Sequence, residues 1–202
     1  GAAAIFKLFE DVSKERILEL AIEAERTIFE NTSGADCTVC TYGGIIEYGK
    51  KQGFKKIENE PNFQLVIANS NMEHSTESMV SGVKTFVIKN KEKFSKLLNQ
   101  ESKLVEDVLK LLKENNPEEL GEKINQNQKY LEIIGISNNQ IKKMIEIGQK
   151  TSFGAKITGS GGGGCIFALT NESNVEQSLK EFKDKNFECF SAEIDFKGLN
   201  TF

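Results

Sequence analysis

A run of glycines near the C-terminal end of the chain is the clearest chemical signal in the sequence. Residues 158–165 read Thr-Gly-Ser-Gly-Gly-Gly-Gly-Cys, so five of the six positions from 159 to 164 are glycine. Glycine loses more conformational freedom on folding than any other residue, and a simple hairpin turn needs only one or two glycines. We therefore expect another group to approach this backbone closely, either an anion bound by its N–H groups or a phosphate-bearing loop.

Two familiar nucleotide motifs do not explain the run. The spacing of Gly159, Gly161 and Gly164 satisfies G-x-G-x-x-G, but β-prone residues follow it where a dinucleotide site needs the start of a helix. No Gly-Lys-Ser/Thr follows either, so it is not a P-loop. A surface turn without a ligand stays open as the alternative.

Two acidic residues form the second candidate group. Glu25 falls in a predicted amphipathic helix over residues 14–30, and Asp36 stands at the start of a predicted strand over 38–42. The turn between them can bring both carboxylates to one cleft, where one would accept a proton and the other would hold Mg²⁺. With 30 acidic residues in the chain, a solvated Glu25 paired with a lysine is the open alternative.

The cysteines and the single histidine favour no catalytic site. Cys37 and Cys40 form a C-x-x-C pair in the β-prone run, whereas a redox pair prefers a helix N-terminus, and Cys165 and Cys189 are too dispersed to complete a zinc site. We expect all four to be reduced thiols that act as small buried apolar residues. His74 is expected to be a surface polar residue, since no orienting acid is evident.

Composition excludes two classes of function. The 202 residues carry 26 Lys and Arg against 30 Asp and Glu, for a net charge of −4, and only two of the cations are arginines, which argues against nucleic-acid binding. No apolar run approaches the roughly 20 residues of a membrane span. The chain starts Gly-Ala-Ala-Ala without a secretory leader, so a cytoplasmic location is expected.

The periodicity of apolar residues predicts an α+β fold in two parts. A helix and a hairpin (38–42 and 45–48) come first, and residues 4–9 read as the continuation of a helix that begins before Gly1. A boundary is expected near 58–62. The second part contains a strand at 63–68, helices over 75–149, strands at 155–158 and 165–169, a helix from Val175 and a half-buried strand over 190–196. Asn116 and Ser137 are the predicted N-caps of two of the helices. This order is that of a split βαβ sandwich.

Four segments together resemble the GHMP kinases, in their mevalonate-kinase form. Residues 31–44, Asn-Thr-Ser-Gly-Ala-Asp-Cys-Thr-Val-Cys-Thr-Tyr-Gly-Gly, resemble the family's P-S-G-x-D-N-x-x-x-T-x-G-G stretch. Residues 156–165, Lys-Ile-Thr-Gly-Ser-Gly-Gly-Gly-Gly-Cys, are similar to its third signature, K-[IL]-T-G-[AS]-G-G-G-G-C. Segments 69–83 and 127–137 agree more weakly but in the same order.

The resemblance implies a fold and a set of roles. It implies a ferredoxin-like GHMP kinase C-terminal domain with added helices over 62–202, preceded by the end of the N-terminal domain over 1–58. Asp36 would be the catalytic base, Glu25 would bind Mg²⁺ and Thr76 would line the mevalonate side. The residues beneath the ATP phosphates would be Gly159, Ser160, Gly161, Gly162 and Gly163. Family members often pair, so a homodimer is one expectation.

The sequence departs from the family pattern in ways that bear on activity. Thr32 replaces a proline, Cys37 an asparagine and His74 a basic residue. The Gly-Glu-His segment and the Gly-Leu-Gly-Ser-Ser loop that wraps ATP are not in these 202 residues, so this chain is expected to be inactive alone. Two alternatives stay open: a kinase for phosphomevalonate or another small alcohol, and a relative that binds without catalysis.

Overall fold

The computed structural model describes residues 12–30, 32–49, 51–73 and 75–200. The described residues form two compact units. One comprises the residues up to Glu58 together with those from Ile194 onward, and the other is Asn59–Glu193. Two expectations fall outside the described residues: that His74 is a surface polar residue, and that residues 4–9 continue a helix.

The first unit contains two helices and a β-hairpin. Helix α1 spans Lys14–Arg26, with the Ser13 hydroxyl accepting a hydrogen bond from the Arg16 N–H at its start. Helix α2 spans Ala35–Tyr42. Strands β1 (Ile45–Gly49) and β2 (Gly53–Ile57) then pair antiparallel.

The strand predicted over residues 38–42 is wrong, because these residues form most of α2. The β-branched residues that favoured a strand are accommodated within the helix. The Thr38 hydroxyl donates to the Gly34 carbonyl at 2.8 Å and the Thr41 hydroxyl to the Cys37 carbonyl at 2.8 Å, and both side chains are buried. Burial of both side chains overrides the weak intrinsic preference for a strand, and the local hydrogen bonds satisfy their hydroxyls within the helix. The hairpin therefore lies one element later, at β1 and β2.

The C-terminal segment returns to the first unit. The Gly44 N–H donates to the Asp195 carbonyl at 2.7 Å, and the Leu199 N–H donates to the Thr41 carbonyl at 3.1 Å. The Lys56 ammonium bonds the Phe196 carbonyl at 2.7 Å. The last strand consequently ends at Ala192, and the predicted extension of that strand to residue 196 is wrong.

The second unit is a four-stranded antiparallel sheet with helices. In chain order its elements are β3 (Gln64–Asn69), α3 (Thr76–Lys89), α4 (Lys91–Glu114), α5 (Pro117–Ile133), α6 (Asn139–Thr151), β4 (Gly154–Ile157), β5 (Cys165–Thr170), α7 (Val175–Asp184) and β6 (Glu188–Ala192). The strand order is β4-β5-β3-β6. This is the order of a ferredoxin-like split βαβ sandwich, and it confirms the predicted fold class. No helix within the described ranges is long and apolar enough to cross a membrane.

The core of this unit lies between one sheet face and helices α6 and α7. Its members are buried apolar residues, including Val66, Ala68, Ile141, Met144, Ala155, Ile166, Ala168 and Phe182. Along β3, buried Val66 and Ala68 alternate with less buried residues. The sequence predicted these strands as short apolar runs. The alternating half-buried face that it predicted for the last strand is wrong at Phe190, whose side chain is 59% exposed.

Helix α5 covers the edge of the sheet at β4. The Asn125 side-chain oxygen accepts the Ala155 N–H at 3.0 Å, and the Gln128 oxygen accepts the Ile157 N–H at 3.0 Å. These side chains satisfy strand donors that an open edge would leave exposed. Gly121 and Gly154 allow the close approach, because a Cβ on Gly154 would lie 2.8 Å from the Gly121 Cα.

Candidate active site

The glycine run forms the connection between β4 and β5. Four of its glycines, at 159, 161, 162 and 164, have φ between 63° and 77°, which is the left-handed region that disfavours residues with a side chain. The Thr158 N–H and hydroxyl both bond the Cys165 carbonyl, at 3.1 Å and 2.9 Å, and close the base of the turn. The high glycine content thus has a conformational cause.

One side of the glycine turn is packed against the loop before α6. The Gly162 N–H donates to the Ile136 carbonyl at 2.8 Å, and the Asn138 side-chain amide donates to the Gly162 carbonyl at 2.8 Å. A Cβ on Gly161 would lie 2.5 Å from the Ile136 oxygen, and one on Gly162 would lie 2.5 Å from the Met79 sulfur. The turn is therefore fixed by its neighbours and is not a loose surface loop.

The other side of the turn is open. A Cβ on Gly159 would meet nothing within 4 Å. The hydroxyls of Thr76 and Ser160 lie 3.3 Å apart, although 84 residues separate them in sequence. No acceptor in the described part of the chain takes the N–H groups of Ser160 and Gly161. Thr76, predicted on the substrate side, and the glycine turn are thus brought together, with free donors suited to an anion.

Asn138 is a residue at this site that the sequence did not reveal. Its side-chain oxygen accepts the Ile141 N–H at 2.8 Å, so Asn138 and not the predicted Ser137 is the N-cap of α6. Two adjacent residues of capping type made the choice ambiguous. Asn138, the residue that caps the helix, also makes the long-range bond to the Gly162 carbonyl.

We expect Asn138→Ala to lower the free energy of unfolding by about 1 to 2 kcal/mol, since it removes both the cap and the bond to Gly162. Asn138→Ser, which keeps a capping oxygen, should lose roughly half as much. Urea denaturation followed by circular dichroism measures both. Asn139→Ala, at the neighbouring exposed position, is the control. An Asn138→Ser variant as stable as the unmodified protein would contradict a role for the bond to Gly162, and equal losses for the Ala and Ser variants would contradict the capping role.

The two acidic candidates lie in the first unit, on neighbouring elements. Glu25 is the penultimate residue of α1, and its Oε2 accepts the Thr32 hydroxyl at 2.6 Å and the Cys37 thiol at 3.4 Å. Asp36, expected at the start of a strand, is instead an exposed residue in the first turn of α2. The positive end of the helix dipole favours a negative group at that position. The two candidates are linked through Cys37, which directly follows Asp36 and whose thiol contacts the Glu25 carboxylate.

Glu25 fits a site for Mg²⁺ that is completed by other ligands. Its carboxylate is a hard oxygen donor, and Mg²⁺ in nucleotide sites typically uses one or two carboxylates together with phosphates and water. Within the described ranges no group of three or more His, Cys, Asp or Glu residues is arranged to hold a metal. A divalent ion at Glu25 would accordingly take most of its ligands from a nucleotide and from water.

The cysteines differ from the expectation. All four are free thiols, but Cys40 is exposed and the other three are half-buried, so the prediction of four buried apolar residues is wrong. Cys37 and Cys40 are three residues apart in sequence. Because this segment is the helix α2, they lie on neighbouring positions of one helix face. The pKa of the Cys37 thiol is raised to about 11. Burial is the main cause, and the second is the Glu25 carboxylate that accepts the S–H.

We expect Cys37 to resist alkylation. With a pKa of about 11 in place of 9.0, its thiolate fraction at pH 8 is roughly a hundredfold smaller. Iodoacetamide labelling resolved by mass spectrometry between pH 7 and 11 should modify exposed Cys40 first. Glu25→Gln removes a negative partner and should shift the Cys37 profile to lower pH. A Cys37 profile that Glu25→Gln leaves unchanged would contradict the contact.

Part of the second unit matches a known protein family. Residues 108–188 match the family described as GHMP kinases C terminal. The chain is 28% identical to a mevalonate kinase of Mus musculus over 193 residues, which cover 90% of this chain and 48% of the mouse protein. It thus spans about half the length of this curated relative.

Two solved structures share the fold. The Methanococcus jannaschii mevalonate kinase superposes with a TM-score of 0.82 at 27% identity, covering 93% of this chain and 58% of that one. The L. major mevalonate kinase, solved in complex with R-mevalonate, superposes with a TM-score of 0.84 at 24% identity, covering 92% and 60%. These matches confirm the resemblance drawn from the sequence: residues 108–188 match the GHMP kinase C-terminal family, and the chain is similar to mevalonate kinases over about nine-tenths of its length.

Proposed function

We propose that this chain is part of an ATP-dependent kinase that phosphorylates the 5-hydroxyl of mevalonate. The observation that carries the proposal is the glycine turn, which is fixed on one side and on its other side presents free N–H groups beside the Thr76 hydroxyl. Such donors suit the phosphates of a nucleotide. Similarity to mevalonate kinases over nine-tenths of the chain supports the choice of acceptor.

In the proposed reaction, Asp36 accepts the proton of the substrate hydroxyl. The resulting oxygen attacks the γ-phosphorus of ATP, a new P–O bond forms, and the bond between that phosphorus and the β,γ-bridging oxygen breaks to release ADP. Asp36 suits this role because its carboxylate is exposed and has no hydrogen-bond partner in the described residues. Proton transfer to a positioned base typically contributes 10²- to 10⁴-fold to the rate.

The remaining candidate residues bind and orient the reactants. Glu25 would hold Mg²⁺, which neutralises charge on the phosphates when bound. Its carboxylate is kept in place by the Thr32 hydroxyl and the Cys37 thiol. The N–H groups of Ser160 and Gly161 would bind phosphate oxygens, and Thr76 would contact the acceptor. Positioning and charge stabilisation account for most of the acceleration in phosphoryl transfer.

The direct test is a coupled assay of ADP release with MgATP and mevalonate. It is run on the 202-residue chain and on a form extended at its N-terminus by a segment that carries the family's Gly-Leu-Gly-Ser-Ser loop. We expect turnover by the extended form and none by the short chain, because the short chain lacks the Gly-Leu-Gly-Ser-Ser loop. Substantial turnover by the short chain would contradict the dependence on that loop.

Parallel assays separate the alternative functions. If the extended form phosphorylates phosphomevalonate or another small alcohol and leaves mevalonate unchanged, the kinase assignment holds and the acceptor is wrong. If it binds ATP without releasing ADP in the presence of any of these alcohols, the chain is a binding protein and the proposed reaction is wrong.

A further inference from the structure

An open cavity of about 640 Å³ lies within the second unit, and one of its lining residues, Ser70, donates its N–H to the Gly164 carbonyl at 2.9 Å. Its walls come from one face of α6, from the loop between α7 and β6, and from the residues after β3. This volume is within the range of small-molecule sites in proteins. None of Thr76, Ser160 or the glycines of the turn lines it.

The cavity is positively charged. Lys143 and Lys150 line it from α6, Lys185 lines it from the opposite loop, and Glu146 is the single acidic residue in the lining, so the net charge is 3 − 1 = +2. Lys143 and Lys150 are seven residues apart, which places them on one helix face about 10 Å apart along the axis. No ion pair joins these lysines to a carboxylate anywhere in the described part of the chain.

The base of the cavity is apolar and the walls are tied together. Ile147 and Phe187 line it and also pack against the core of the unit. The Gln140 side-chain amide donates to the Ser70 carbonyl at 2.8 Å, which joins α6 to the end of β3. Apolar surface beside unpaired ammonium groups is the lining expected for an organic anion, since one part binds the charge and the other the carbon skeleton.

We infer that this cavity binds a small organic phosphate, either a phosphate monoester or a diphosphate with a compact apolar group. Lysine is a common phosphate ligand, and the two or three negative charges of such a ligand match the net charge of the lining. The inference concerns a second site and does not depend on the proposed kinase reaction. It applies to the 202-residue chain as it stands.

Isothermal titration of the chain with inorganic pyrophosphate at low ionic strength, without added metal, tests the inference. We expect the double variant K143Q/K150Q to bind at least about tenfold more weakly, because two charge-assisted hydrogen bonds are lost. Glu146→Gln should bind more tightly, because it removes the one negative charge in the lining. Lys142→Gln makes the same change outside the cavity and is the matched control. Thermal melting verifies that each variant is folded.

Specific outcomes would overturn the inference. Pyrophosphate binding that K143Q/K150Q leaves unchanged would place the anion elsewhere, for example at the glycine turn. Citrate binding as tightly as pyrophosphate would mean that the lysines recognise charge alone, and the assignment to phosphates would be wrong. A chain with no measurable affinity for pyrophosphate at millimolar concentration would exclude the site. Failure of the kinase assay affects none of these measurements.

Discussion

Replacing Asp36 by asparagine should lower kcat by about 10²- to 10⁴-fold in whichever form of the protein shows turnover, with little change in KM for the acceptor. The side-chain amide has nearly the same size as the carboxylate but cannot accept the proton of the substrate hydroxyl. Asp36 is exposed in the first turn of α2, so the substitution removes a charge without disturbing packing. Steady-state measurement of ADP release with varied acceptor gives both parameters.

Asp184→Asn is the matched control for this variant. Asp184 is the exposed last residue of α7, and the substitution there makes the same chemical change in a residue with no assigned role. Its kcat should stay within about twofold of the unmodified protein. If Asp36→Asn retains a kcat equal to that of the control, Asp36 is not the base. A loss confined to KM would instead assign Asp36 to substrate binding.

The sequence predicted most of the sheet of the second unit because its strands are short apolar runs beside turn-forming residues. It also pointed to the glycine turn, since the entropic penalty of five glycines is visible without coordinates. It failed at α2, where Thr38 and Thr41 favour a strand by local preference. Both hydroxyls bond carbonyls four residues earlier in the chain. The burial of both side chains, which decides the outcome, depends on residues distant in sequence.

Contacts between remote segments explain the other differences at the site. Asn138 and Ser137 are equally good caps by residue type, and the bond from Asn138 to Gly162 links positions 24 residues apart. The contact between the Thr76 and Ser160 hydroxyls spans 84 residues. Apolar periodicity carries no information on such pairs. Here the family resemblance, and not the periodicity, indicated that Thr76 belongs with the turn.

Gly121→Ala should lower the free energy of unfolding by about 2 to 3 kcal/mol, although alanine is the better helix former. A Cβ at this position would lie 2.5 Å from the Phe153 Cβ and closer still to the Phe153 carbonyl group. Neither backbone can move easily, because Asn125 and Gln128 on the same helix are hydrogen-bonded to β4. The variant must therefore separate α5 from the sheet edge or strain both. Urea denaturation followed by circular dichroism measures the loss.

Gly82→Ala separates this packing effect from helix propensity. Gly82 lies within α3, and a Cβ there would meet nothing within 4 Å. The same substitution should therefore stabilise the protein by about 0.5 to 1 kcal/mol. Opposite signs for the two variants follow from the close approach of α5 to β4. If Gly121→Ala is instead as stabilising as Gly82→Ala, α5 does not contact the strand edge, and the hydrogen bonds from Asn125 and Gln128 to β4 cannot form as described.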